Sequence, residues 1–160
     1  MALITHMERR MGLAEYRVVI EQFCDAADID NVGDLLHRGA VLIGQNAVLL
    51  EYAEEVDQCR ITLDLGEPQG EDLGSLYRLL LESNFDLAPD LQPVHALHPE
   101  SGHAILILHI SLCRLQTDVN LFELMTQDLD VVIETWSDIF RGAQTSADAH
   151  VDSVAARNLA

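Results

Sequence analysis

Apolar side chains near the start of the chain recur by threes and fours: Met11, Ala14, Val18, Val19, Phe23 and Ala26, with Glu8, Arg9, Glu15, Arg17 and Glu21 between them. That spacing gathers the apolar set on one side of a helix from about Met7 to Ala27. Gly33 and Gly39 bracket a short polar passage in which Leu35 and Leu36 dock as a staple. The period then changes from about 3.6 to 2. Ala40 to Gly44, Ala47 to Glu54 and Gln58 to Leu65 read as strands, separated by the hairpin-length pairs Gln45-Asn46 and Val56-Asp57. They predict a three-stranded antiparallel meander.

Alternation is cleanest in the third run, where Cys59, Ile61, Leu63 and Leu65 share one face and Arg60, Thr62 and Asp64 the other. One face is core and the other wet. The second run is greasier: Val48, Leu50 and Tyr52 share a face, but Leu49 and Ala53 opposite them are also apolar. After Gly66, Pro68 and Gly70 the pattern turns helical again, from Glu71 to about Asn84. A loop with Pro89 and Pro93 leads to a second hairpin, Val94 to His98 and His103 to Leu112, closed by Pro99-Glu100-Ser101-Gly102. Thr117 then reads as the N-cap of a long helix ending near Arg141 and Gly142, with Phe122, Met125, Leu129, Val132, Ile133, Trp136, Ile139 and Phe140 as its stripe. At 1.5 Å per residue it runs roughly 36 Å. From Ala143 onward the residues are small or polar and only weakly periodic.

The expected architecture is therefore α+β, in the order helix, three-stranded antiparallel meander, helix, β-hairpin, long helix (αβββαββα). It forms one domain over residues 1–142 with a flexible tail over 143–160. The middle helix sets the assembly. Leu73, Leu76, Tyr77 and Leu80 recur at helical spacing, while Leu79, Leu81 and Phe85 add apolar surface on the remaining sides. A helix apolar nearly all round must be covered on more than one side. Its own sheet covers one side, and a second copy of the chain is the simplest cover for the other, so a homodimer is expected.

Composition narrows the partners. Twenty-seven acidic residues against nine basic ones leave a formal charge of -18 in a chain of 160 residues that is 49% hydrophobic. Such a field repels phosphate backbones and anionic lipid surfaces, which argues against nucleic acid and favours a polypeptide partner that is basic or poor in charge. Cys24, Cys59 and Cys113 are odd in number, far apart and without a CxxC pair, as befits free thiols in a reducing cytosol. No run approaches the roughly 20 apolar residues of a membrane span, and no secretory segment stands at the start. A cytoplasmic protein without membrane insertion is expected.

The chain offers little to chemistry. Gly66, Gly70 and Gly74 do not form a phosphate-cradling loop, and there is no nucleophile elbow. His95, His98, His103 and His109 cluster on the second hairpin, but His103 and His109 stand about 20 Å apart along a strand at 3.3 Å per residue. Two histidines across a turn without a third ligand make a poor zinc site. Glu54-Glu55 and Glu71-Asp72 sit at element ends, where solvated charge and helix-dipole pairing explain them. No catalytic residue, no metal site and no cofactor are expected, so the chain is read as not an enzyme.

The element order, the acidity and two segments, RLLLESNF from Arg78 to Phe85 and HPESGHAILILHI from His98 to Ile110, resemble the class I type III secretion chaperones, the Tir chaperone (CesT-like) family. The likeness covers about residues 7 to 141. The second segment resembles the family's strand-turn-strand stretch with a D-P-E-T-G-like turn; here His98 stands where Asp is common and Ser101 where Thr is common. The resemblance implies a cytoplasmic homodimer in a Gram-negative bacterium. It would bind the N-terminal chaperone-binding segment of a secreted effector in extended form and keep it competent for export, with the secretion-apparatus ATPase as a further partner.

Carried onto this sequence, the resemblance assigns effector binding to Val19 and Phe23 on the first helix with Val41, Ile43 and Leu49 on the first two strands. It assigns the dimer interface to Leu76, Leu79, Leu80 and Phe85. The alternative from a different class is a non-enzymatic adaptor or regulatory dimer that recognises a folded bacterial protein.

Overall fold

Alternation in the sequence becomes a sheet with one dry face. In the computed structural model, which describes residues 12–43, 46–69, 72–85 and 93–140, the strands are β1 (Ala40–Ile43), β2 (Asn46–Ala53), β3 (Gln58–Gly66), β4 (Val94–Leu97) and β5 (Ala104–Ser111). They form one antiparallel sheet in the order β1-β2-β3-β5-β4. The meander and the second hairpin meet through β3 and β5, with Ile61 opposite Leu108 and Leu63 opposite Leu106. Val48, Leu50, Cys59, Ile61, Leu63, Ala104, Leu106, Leu108 and Ile110 are all buried on the inner face. The long register of alternating contacts is what holds that face in one plane.

The helices supply the other wall of the core. Helix α1 (Gly12–Ala26) buries Tyr16, Val19, Ile20, Phe23 and Cys24. Helix α3 (Leu73–Ser83) buries Leu76 and Leu80 and is capped by Asp72, whose carboxylate accepts from the Ser75 N–H at 3.0 Å. Two expectations need correction. The passage between Gly33 and Gly39, expected as a short polar stretch, is part of a helix, α2 (Val32–Arg38), because Asn31 caps it through the Asp34 N–H at 3.1 Å and Gly39 ends it in the left-handed conformation; Leu35 and Leu36 do pack against the core from it. Leu35 is buried by that helix.

The last helix does not start at Thr117. The chain leaves β5 at Ser111 and at once forms a short helix α4 (Leu112–Thr117), with Ser111 as its cap, and Thr117 closes it by donating to the Cys113 carbonyl at 3.0 Å. The long helix α5 opens after Asn120, whose side-chain oxygen accepts from Phe122 N–H at 2.9 Å and Glu123 N–H at 3.2 Å. It is described through residue 140, and it widens to a π turn over Leu124–Asp128, where the Leu129 N–H reaches the Leu124 carbonyl. Leu121, Leu124, Met125, Leu129, Ile133, Trp136 and Phe140 on α5 are buried. The observed order is thus ααβββαββαα. The start of the first helix before Gly12, the Pro89 loop and the tail over 143–160 lie outside the described residues.

Two turns carry backbone that few residues tolerate. Asp57 in the β2–β3 turn has φ +55°, and its carboxylate accepts from the Gly12 N–H at 3.0 Å and the Tyr52 hydroxyl at 2.8 Å. That one side chain ties the start of α1 to the meander, where Tyr16 and Tyr52 stack at 5.4 Å. Gly102 closes the second hairpin with φ +74° and donates to the His98 carbonyl at 2.9 Å, so the Pro99-to-Gly102 turn falls where the sequence placed it.

Candidate functional site

The expected effector-binding residues divide between the core, a groove and the opposite face of the sheet. Val19 and Phe23 are buried on α1, at 2% and 4% exposure, and Val41 packs half-buried against the same core. Phe23 and Val41 come together in a groove running beside β1, shared with Ala27, Ile29, Leu42, Phe122, Met125, Thr126 and Asp130. Val19 joins Phe23 in the adjoining hollow between α1 and the 115–122 segment. Ile43 is in β1, but its side chain lies outside the described residues. Leu49 pairs with Ala40 and Thr62 and so points to the outer face, away from the groove.

The groove is apolar for a reason of register. Among the described residues β1 pairs with β2 alone, which makes it an edge strand of the sheet. Along that edge Leu42 is 69% exposed. The floor comes from α1 and from the first turns of α5, where the π turn brings Met125 and Thr126 toward β1. Leu42, Phe122 and Met125 were not assigned to the site from the sequence; Phe122 and Met125 stood there as part of the long helix's apolar stripe, and Leu42 as one more apolar residue on an already apolar strand.

A second apolar surface surrounds α3. Of the residues assigned to the dimer interface, Leu76 and Leu80 are turned into the chain's own core at 7% and 4% exposure, whereas Leu79 is 40% and Phe85 91% exposed. Leu73, Tyr77 and Leu81 also stand exposed on one flank of α3, and on edge strand β4 Val94 and Leu97 are exposed on opposite faces of the sheet. On the opposite flank Leu79 borders a groove toward α5. The outer face of the sheet carries a further row, apolar except for Thr62, with Ala40, Leu49, Thr62, Ile107 and Val94 in mutual register.

Polar side chains serve mainly to fix these elements. Arg60 bridges to Glu51 at 2.7 Å across the wet face, and His103 meets Asp64 at 2.9 Å beside the bulge at Gly66. The Cys59 thiol is pushed up to about 12 by burial. A thiol held protonated inside the core is a packing group rather than a nucleophile. Among the described residues no group of three His, Cys, Asp or Glu side chains is arranged to hold a metal ion. No helix in that part of the chain is long and apolar enough to cross a membrane.

No curated protein matches the chain. Among solved structures, a chain of the ExoT-SpcS complex from Pseudomonas aeruginosa is similar at 22% identity and a TM-score of 0.48, over 64% of this chain and 81% of that one. The Tir chaperone protein (CesT) family model matches residues 19–136, which runs from within α1 to the Trp136 turn of α5 and takes in the whole sheet. With that match spanning most of its length, the chain belongs to the Tir chaperone (CesT) family of type III secretion chaperones.

Proposed function

We propose that this chaperone acts in the cytoplasm as a homodimer, and that each copy holds the N-terminal chaperone-binding segment of a secreted effector as an extended strand along β1. The observation that carries the reading is the edge position of β1 beside the groove of Phe23, Val41, Leu42, Phe122 and Met125. An extended peptide added to a sheet edge takes its affinity from main-chain hydrogen bonds and its selectivity from pockets under alternate side chains. Val41 and Leu42 differ in face, so a paired strand would bury every second side chain against the Phe23–Phe122 floor. Each such apolar anchor contributes about 1.5–3 kcal/mol. The strongly acidic chain then disfavours acidic and phosphate-rich competitors.

The pairing surface is the exposed flank of α3 with edge strand β4: Leu73, Tyr77, Leu81, Val94 and Leu97, with Phe85 at its end. A twofold contact uses each of these residues twice. Leu76 and Leu80 support that surface from beneath, as core residues that fix the pitch of α3. A client held on β1 lies at the opposite edge of the sheet from this contact. It remains accessible there to the secretion-apparatus ATPase.

Amide hydrogen exchange on the complex with a client segment tests the strand. Protection gained at Ala40–Ile43, with limited proteolysis cutting the client everywhere except where it wraps, is the expected result. A bound partner that stays folded and resists proteolysis throughout would replace this reading with that of an adaptor.

A further inference from the structure

The groove between α3, β4 and α5 holds a buried hydrogen-bonding atom with nothing to bond. Its cavity is about 390 Å³, and Leu79, His95, Val131, Val132, Trp136 and Ile139 line it. His95 is only 5% exposed, and its Nε2 is the one buried side-chain nitrogen or oxygen among the described residues without a hydrogen-bond partner.

The protonation of that ring follows from its neighbours. Asn84 pairs reciprocally with the His95 backbone: its Oδ1 accepts the His95 N–H at 2.6 Å, and its Nδ2 donates to the His95 carbonyl at 3.3 Å. This fixes which end of the amide faces the ring, and the ring's Nδ1 lies 3.2 Å from the same Oδ1. Nδ1 also lies 3.1 Å from Ser83 Oγ, whose hydroxyl hydrogen is engaged by the Leu80 carbonyl at 2.8 Å. Nδ1 therefore faces two acceptors and carries the hydrogen. Nε2 is left as a bare lone pair that needs a donor.

The surroundings specify what the donor is attached to. Trp136 packs on the His95 ring at 4.9 Å between centroids and on Phe140 at 5.7 Å, so a flat ring is the natural filler. The rim continues into exposed Leu79 and Val131, at 40% and 63%, which a small free molecule leaves uncovered and a polypeptide covers. Asp128 is the charged group on the lining and disfavours an anionic ligand.

We propose that this groove is a docking site for a tyrosine side chain of a bound polypeptide, its ring against Trp136 and its hydroxyl donating to His95 Nε2. Nε2 has almost no accessible surface, so entry of the ring requires the side chains that cover it to move aside. The site is separate from the strand groove, since it sits across α5 from Phe23 and Val41, and its chemistry holds whether or not β1 takes a client strand.

Trp136 is the sole tryptophan and reports directly. The full chain is titrated with p-cresol and with toluene, which has the same ring without the hydroxyl, while Trp136 emission is followed. p-Cresol should bind about five- to tenfold more tightly, the effect of one net hydrogen bond. In His95→Leu that preference should vanish while toluene still binds. Should His95→Leu not fold, the imidazole ¹⁵N signals of the wild-type protein decide: Nε2 should shift on p-cresol addition and stay put with toluene. Equal binding of the two rings, or no response of Trp136 to either, overturns the site. N-acetyl-tyrosine amide should bind at least as well as p-cresol; binding of p-cresol alone would make this a site for free phenols and overturn the polypeptide occupant. An emission change with protein concentration alone, abolished by Tyr77→Phe, would make a second copy the occupant and overturn the proposal equally.

Discussion

Two neighbouring leucines on α3 separate the core from the proposed pairing surface. Leu80 is 4% exposed and sits in the core cluster, while Leu81, one residue on, is 65% exposed. Truncating Leu80 to Ala deletes buried methyl groups and leaves a cavity, at about 2–5 kcal/mol of folding stability. Truncating Leu81 removes nothing the isolated chain buries. If a second copy covers it, the exposed part of a leucine worth about 1.5–3 kcal/mol on full burial contributes about 1–2 kcal/mol per copy. A twofold contact counts it twice, about 2–4 kcal/mol in all. The dissociation constant should then rise by about thirtyfold to nearly a thousandfold.

The two variants should therefore fail different assays. Leu80→Ala should shift the urea midpoint followed by Trp136 fluorescence and should still sediment as the wild type does wherever it is folded. Leu81→Ala, measured at concentrations where the wild type is a dimer, should keep the unfolding slope and move the monomer–dimer midpoint in sedimentation velocity. Leu81→Asp should give monomer throughout the micromolar range. A wild-type protein that sediments as a monomer at micromolar concentration refutes the pairing outright. A dimer indifferent to Leu81→Asp refutes the choice of surface.

Single positions give further outcomes. Gly39 has φ +68°, and a Cβ there would stand 2.7 Å from the Leu50 carbonyl oxygen, so Gly39→Ala should cost about 1–3 kcal/mol by thermal denaturation; Gly74→Ala, in the first turn of α3 with room beside it, should stabilise by a few tenths to about 1 kcal/mol. Burial lowers the His95 pKa below its ordinary 6.5. The unfolded chain therefore binds the proton more readily, so the contribution of His95 to stability is complete above pH 6.5 and is lost as the pH falls below it; wild-type stability should fall on acidification more steeply than that of His95→Gln. Asn120→Ala removes the cap that accepts two N–H groups at the head of α5 and should cost about 1 kcal/mol, whereas Thr117→Ala, which removes a bond at the end of α4, should cost less.

Much of the fold was legible because the sheet obeys its period. Along β5, inward Ala104, Leu106, Leu108 and Ile110 are all buried and outward Ile105, Ile107 and His109 are half-buried, as alternation requires. The Pro99–Gly102 turn was legible for the same local reason. The errors lie where a short element is specified by capping rather than by period. Helix α2 has seven residues and α4 six, too few for a stripe to emerge, and each is set by one side-chain oxygen, Asn31 and Ser111. Thr117 and Asp118 imitate the start of a helix, but the stronger acceptor geometry at Asn120 takes that role.

The site was less legible, because its residues are distinguished by position in the sheet and not by type. Nothing in the run Leu79-Leu80-Leu81 tells which leucine is core. The choice is made when α3 docks Leu76 and Leu80 in the core, leaving Leu79 toward α5 and Leu81 exposed. The same holds for Leu42, an ordinary strand residue until the strand order makes β1 an edge. His95 is the sharpest case. Its neighbours in sequence, Val94 and Ala96, place it on a strand, but its meaning depends on Ser83 and Asn84 occupying one side of its ring and Trp136 another. A hairpin histidine that looks like solvated surface is thereby turned into a buried acceptor. Helix docking decides both facts at once: the contact that buries Leu80 also brings Ser83 and Asn84 to His95. Perturbing the seating of α3 should therefore disturb the environment of Trp136 even when the substituted residue is far from the ring.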